Sequence, residues 1–125
     1  MRLSCEPVIR AAAEGFELPD LPAQPIHGDA HLGNVLAGGR WLDFDEACLG
    51  PPEWDLACLR HRAVVFGEIR DEIESALAAY GDYDEAAVAA CDPLVVLFTA
   101  MWSLVAQPEH SRTRARLDWL RRFGT

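Results

Sequence analysis

Between residues 26 and 36 the chain reads Ile26-His27-Gly28-Asp29-Ala30-His31-Leu32-Gly33-Asn34-Val35-Leu36, a run of polar groups between apolar flanks that can hold them still. Asp29 and Asn34 stand five apart, and nine residues beyond Asn34 comes Asp43, in Trp41-Leu42-Asp43-Phe44-Asp45-Glu46. There a strand-like apolar lead ends in three acids within four residues. Carboxylates so crowded repel one another unless a cation or a donor sits among them. A divalent metal is the natural counter-charge, and oxygen-only ligands from Asp and Asn favour hard Mg²⁺ over zinc. These are the groups that γ-phosphoryl transfer uses: an acid to receive or orient the acceptor hydroxyl, and an Asp and an Asn to hold Mg²⁺ against the phosphates. A competing constellation is His27-x-Asp29-x-His31, which could form a zinc cluster if those residues alternated on a strand, but Gly28 and Gly33 argue for a loop.

The protein-kinase pattern H-R-D-x-x-x-x-N followed by D-F-G has its counterpart here in H-G-D-A-H-L-G-N followed by D-F-D, with the same Asp-to-Asn spacing. The stretch resembles the aminoglycoside phosphotransferase family and its choline-kinase and homoserine-kinase-like relatives, whose loop reads H-G-D-x-H-x-x-N. In that family a metal strand such as I-D-W-E and a G-x-P-x-x-D-L-A segment follow. The resemblance implies that Asp29 is the catalytic aspartate and that Asn34 and Asp43 hold Mg²⁺. It also implies supporting roles for three residues: His27 within the loop, Asp45 as the second acid of the metal strand, and Asp55, in Trp54-Asp55-Leu56-Ala57, as the brace beneath the loop. Residues 25–57 carry the likeness closely. Leu32 stands where the family usually has proline and Pro51 where it often has aspartate; neither departure removes a ligand.

The elements that must position these residues are short strands and then helices. Strands are expected at 35–37 and 41–44, joined by Gly38-Gly39, which suits a hairpin turn. The stretch 18–25 holds three prolines and reads as an extended connector behind a short helix at 6–16. After Pro52 the periodicity is helical: 53–65, 68–80 ending at Gly81, 84–90 capped by Asp84, a new helix from Asp92-Pro93 to about 106, and 112–123. Trp54, Trp102 and Trp119 fall on apolar stripes and are expected in the core, and His61 on the helix surface or in the core. The expected fold is α+β and mainly α: one domain, 1–125, shaped like a protein-kinase C-terminal lobe. A short hairpin at 26–57 carries the catalytic loop and metal site, and a helical subdomain fills 58–125.

Twenty acids against eleven arginines leave a net charge of -9, so the chain as a whole lacks the cationic footprint of a nucleic-acid binder. The same balance suits a cationic acceptor. Five arginines and one aspartate in 112–125 make that stretch +4, against -13 for the rest; a solvated helix face accounts for it. Cys5, Cys48, Cys58 and Cys91 form no C-x-x-C pair and read as reduced structural thiols. No signal peptide is visible, and the charge-free apolar stretch 93–107 is short for a membrane span, so a cytoplasmic protein without membrane partners is expected.

A kinase of this type also uses a strand lysine to pair the α and β phosphates, and this chain has no lysine at all. Only 26 residues precede His27. The chain therefore reads as a C-terminal lobe without its N-terminal lobe. As such it would be an ATP-dependent phosphotransferase by resemblance, acting on a small hydroxyl acceptor, with little activity and feeble ATP binding alone. An apolar face turned towards the missing lobe could drive self-association. The alternatives are a non-catalytic helical remnant, a subunit that pairs with a separately encoded N-lobe, and the zinc-dependent hydrolase of the His27/His31 reading.

Overall fold

Extended backbone is confined to two small antiparallel ladders, and helices form the rest of the chain. The computed structural model describes residues 2–17 and 19–123. Along it run α1 (Arg2–Gly15), β1 (Gln24–Ile26), a 3-10 turn (Leu32–Asn34), β2 (Val35–Leu36), β3 (Arg40–Trp41), β4 (Cys48–Gly50), α2 (Pro52–Phe66), α3 (Asp71–Tyr80), α4 (Glu85–Ala106) and α5 (Ser111–Phe123). The result is mainly α with a small β component, as the sequence implies.

The hairpin β2–β3 pairs Val35 with Trp41 and Leu36 with Arg40. Gly38 and Gly39 both adopt positive φ in its turn. Its second strand stops at Trp41, short of the expected 41–44, because Asp43 takes a left-handed conformation with φ 57 that ends the pleat. The other ladder, β1 with β4, was not visible in the sequence: Gln24 pairs with Gly50, Pro25 with Leu49 and Ile26 with Cys48. Every strand of a two-stranded ladder is an edge, so Pro25 can lie in it without a lost partner. The expected connector 18–25 is thus partly strand, and Leu18 at its start lies outside the described residues.

α4 runs unbroken through Pro93, where two helices were expected. Asp92 does not cap a new helix. Its carboxylate is buried and takes the Arg60 guanidinium of α2 in a two-pronged pair, Nη2 to Oδ2 at 2.7 Å and Nε to Oδ1 at 3.3 Å. A proline inside a helix costs about 3 kcal/mol. Val88, Val95 and Val96 of the same helix are almost completely buried, and at roughly 1.5–3 kcal/mol each they outweigh that loss. α3 begins at Asp71, three residues later than the periodicity suggests.

Two clusters form the core. Ala30 from the polar loop joins Leu56, Ala57, Cys58, Val88, Cys91 and Val95, so the loop is pinned into the α2–α4 packing by its own small residue. Ala12, Val96, Ala100 and Leu120 join α1, α4 and α5. Trp54 and Trp119 pack against these clusters as expected, but Trp102 is 59% exposed. Burial pushes the Cys58 thiol up to about 12 and the Cys91 thiol up to about 11, so both stay protonated; Cys48 is also free, and the Cys5 side chain lies outside the described residues. By length and composition α4, at 22 residues, could cross a membrane, since the continuous helix exceeds the apolar stretch 93–107. One third of that window is buried, where its valines pack and Asp92 pairs with Arg60.

Candidate functional site

The loop from His27 to Asn34 is fixed from below by the first turn of α2. Asp55 accepts from the backbone N–H groups of His27 and Gly28, both at 2.9 Å, one on each carboxylate oxygen. The adjacent Trp54 donates its indole N–H to Gly28 O at 2.8 Å. Gly28 has φ +91, and a Cβ there would come within 2.9 Å of Glu46 Cβ and closer still to its carbonyl oxygen. Glycine is therefore required twice over at this position, by its conformation and by the approach of the acid turn.

His27 stands behind the loop with both ring nitrogens committed. Nδ1 accepts from the Asp29 N–H at 3.2 Å, so Nε2 carries the hydrogen and donates to Leu42 O at 2.7 Å. The ring also packs against Trp41 and Phe44, with centroids at 5.3 and 4.9 Å. His31 Nδ1 accepts from the Gly33 N–H at 3.1 Å. With those nitrogens in use, the His27/Asp29/His31 zinc cluster has no pair of free imidazoles to build on. No three His, Cys, Asp or Glu side chains converge as a metal cage among the described residues.

Asp29 and Asn34 are brought together. The Asn34 amide nitrogen donates to Asp29 O at 2.9 Å and to Asp29 Oδ2 at 3.3 Å, and His31 Nε2 lies 3.5 Å from the same Oδ2. The His31 imidazole, helped by the Asn34 donor, holds the Asp29 carboxyl below the usual carboxylate range against the opposing effect of burial. Asp29 is thus a carboxylate at neutral pH, with one oxygen engaged by donors.

Asp43 reaches the region through the hairpin. The Leu42 N–H donates to Asn34 O at 2.7 Å, which places the following residue beside Asn34 along the backbone. Asp29, Asp43 and Asp45 line one cavity of about 670 Å³. No hydrogen bond joins Asp43 to Asp29 or Asn34 among the described residues. Asn34 is buried, with its amide nitrogen turned to Asp29, which leaves Oδ1 as its acceptor atom. Carboxylate oxygen from Asp43 and carboxamide oxygen from Asn34 make a hard donor set, and Mg²⁺ needs only one or two protein carboxylates when substrate phosphates and water complete its shell. In donor type, the residues present fit that ion.

The far wall of the cavity was not anticipated. It is built by α2 (Leu59, His61 and Arg62), α4 (Phe98, Thr99, Trp102 and Ser103), Arg70 and Arg116. On α4 these positions recur at spacings of three and four, so the stripe that places Trp102 in the core by periodicity is the face it turns to the cavity. His61 is buried, and burial together with the Arg116 charge pushes its imidazole down to about 4. Nothing in local spacing pairs His61 with Arg116, 55 residues away.

The site thus consists of a polar loop braced by a helix-start aspartate, an Asp–Asn pair five residues apart and an acid at the end of the next hairpin. The model of the phosphotransferase enzyme family matches residues 6–91, and the chain belongs to that family. No curated protein and no solved structure matches the chain.

Proposed function

We propose that the chain supplies the acceptor-activating and metal-holding half of an ATP-dependent small-molecule kinase, with Asp29 as the catalytic aspartate, acting as the base, and Asn34 and Asp43 as the Mg²⁺ residues. The observation that carries this reading is the joining of buried Asn34 to Asp29 by the amide hydrogen bonds, with Asp29 and Asp43 lining one cavity. Asp29, ionised and open on one oxygen, accepts the hydrogen of the acceptor hydroxyl and aligns it. As the new O–P bond forms, the bond from the γ-phosphorus to the bridging oxygen breaks. The nucleoside diphosphate leaves with that electron pair, and the hydroxyl proton passes to Asp29 Oδ. Bound Mg²⁺ would supply positive charge against the phosphate oxygens. Asp45 adds negative charge beside Asp43, while His27 and Asp55 act by holding the loop.

The lysine that pairs the α and β phosphates must come from outside these 125 residues. Trp41, Leu42, Phe44 and Leu49 are all exposed on the hairpin and ladder beside the loop, an apolar strip that favours a covering lobe or subunit. Orientation and positioning can supply about 7–11 kcal/mol of barrier lowering, so the chain alone is expected to turn over ATP at background rate. Phosphate release with Mg²⁺ and ATP measures this. Addition of a lysine-bearing β-rich partner should raise the rate, and Asp29→Asn should abolish the increase by at least a hundredfold. A partnered rate insensitive to Asp29→Asn would contradict the catalytic assignment.

A further inference from the structure

The cavity carries opposite charges on its two sides. The loop and the turn before α2 contribute Asp29, Asp43, Asp45 and Glu46, whereas α2, the residue before α3 and α5 contribute Arg62, Arg70 and Arg116. Arg62 and Arg70 have acid partners, Glu68 at 3.9 Å and Glu72 at 3.5 Å. Arg116 has none among the described residues. Its guanidinium is instead held by neutral groups: Nε donates to His61 Nε2 at 3.1 Å and Nη1 to Ser103 Oγ at 2.8 Å, and the plane lies 5.2 Å from the Phe66 ring centre. Because Nε–H can only donate, His61 Nε2 is the acceptor, so the imidazole is neutral and cannot serve as a counter-charge. Nη2 makes no hydrogen bond among the described residues, and it is not among the buried, unpartnered atoms. A half-buried cation fixed by two neutral groups and lacking a counter-ion is costly unless an anion meets it. Burial and the neighbouring charges of Arg112 and Arg62 lower its proton affinity, in line with that lack. Ser103 is itself anchored, donating to Thr99 O at 2.8 Å, so the arrangement is pre-organised.

We infer that Arg116 is the binding position for an oxyanion on the acceptor, so that the acceptor is a small hydroxyl compound bearing a carboxylate or phosphate. This rests on the phosphotransferase reading of Asp29, and it replaces the cationic acceptor suggested by the net charge of the whole chain with an anionic one drawn from the charges that face the cavity. Asp29 and Arg116 line the same cavity, whose volume of about 670 Å³ is that of a small-molecule site. The exposed Trp102 ring offers an apolar wall for its carbon skeleton.

The test is titration of the full chain with glycerate, glycerol phosphate, inorganic phosphate and ethanolamine, read by the Arg116 Nε–H resonance and by tryptophan fluorescence. Glycerate or glycerol phosphate should bind, the stronger of the two naming the oxyanion, and Arg116→Gln should weaken it at least tenfold with helical content unchanged. If Arg116→Gln fails to fold, Arg116→Lys, which keeps the charge and loses the planar fork, should weaken binding several-fold. Ethanolamine binding with indifference to either variant would overturn the inference. So would inorganic phosphate binding as tightly as both organic anions, which would leave a bare anion site. Mg²⁺ titration of the same samples separates the two levels of argument. Asp43-dependent Mg²⁺ binding without oxyanion binding sinks this inference alone. Oxyanion binding with no Asp43-dependent Mg²⁺ site removes the acceptor role and the phosphotransferase reading with it.

Discussion

The loop at His27–Asn34 and the acid turn at Asp43–Glu46 face one cavity and are built in opposite ways. The loop is over-determined: Asp55 takes two of its N–H groups, Trp54 takes a carbonyl, Ala30 is sunk in the core and His27 spends both ring nitrogens on backbone. The turn is exposed from residue 43 to residue 46, its first acid sits in a left-handed conformation, and its side chains make no hydrogen bonds among the described residues. The difference separates two tasks. On the proposed reading, a group that must meet a hydroxyl within a few tenths of an ångström is locked in advance, whereas a carboxylate whose partner is a cation can wait on the surface until the charge arrives.

The largest effect should come from unlocking the rigid side. Asp55→Ala leaves two backbone N–H groups without their charged acceptor, and at about 1.5–3 kcal/mol for each such bond the loss should be roughly 3 kcal/mol or more. Urea denaturation measures it. A loss below about 1 kcal/mol would mean that the loop does not depend on its brace.

A comparable effect is expected from acid at the opposite wall. The His61 imidazole has a folded pKa near 4, below the ordinary value of 6.5, so the folded state resists the proton that the unfolded chain accepts. Above pH 6.5 the group contributes nothing to the pH dependence. As pH falls from 6.5 to about 4 it destabilises the fold by about 3 kcal/mol in total. Denaturation of wild type and His61→Gln at pH 7 and pH 4 isolates this: the wild type should lose about that much more than the variant, and equal losses would place the acid sensitivity elsewhere.

The smallest effect should come from the turn. Asp43→Gly removes a left-handed penalty of about 1–2 kcal/mol and adds unfolded-chain freedom of roughly 0.5–1 kcal/mol, so the fold should gain about 0.5 kcal/mol. A large destabilisation would show that the Asp43 side chain is structural after all, and would erase the contrast between the two regions.

The braced loop was the more legible of the two regions. Asp29 and Asn34 follow from residue type and spacing, and Asp55 as the brace follows from the likeness of Trp54-Asp55-Leu56-Ala57 to the family's segment. The β1–β4 ladder was hidden by Pro25, since a local rule against proline in strands does not see that a two-stranded ladder has only edges. The continuity of α4 was hidden by Asp92-Pro93, a capping signal on its own, which long-range packing and the Arg60 pair override. The basic wall was hidden for a related reason: Arg116 and His61 are far apart in sequence, and the stripe on α4 that reads as core faces a cavity instead.

The most direct test of the central claim uses Mn²⁺ as a paramagnetic probe in place of Mg²⁺, with amide resonances followed in the full chain. Selective broadening at residues 29, 34 and 43, lost in Asp43→Ala while circular dichroism stays unchanged, is the expected result. Broadening centred elsewhere, or unchanged by Asp43→Ala, would contradict a metal site formed by Asn34 and Asp43 beside Asp29.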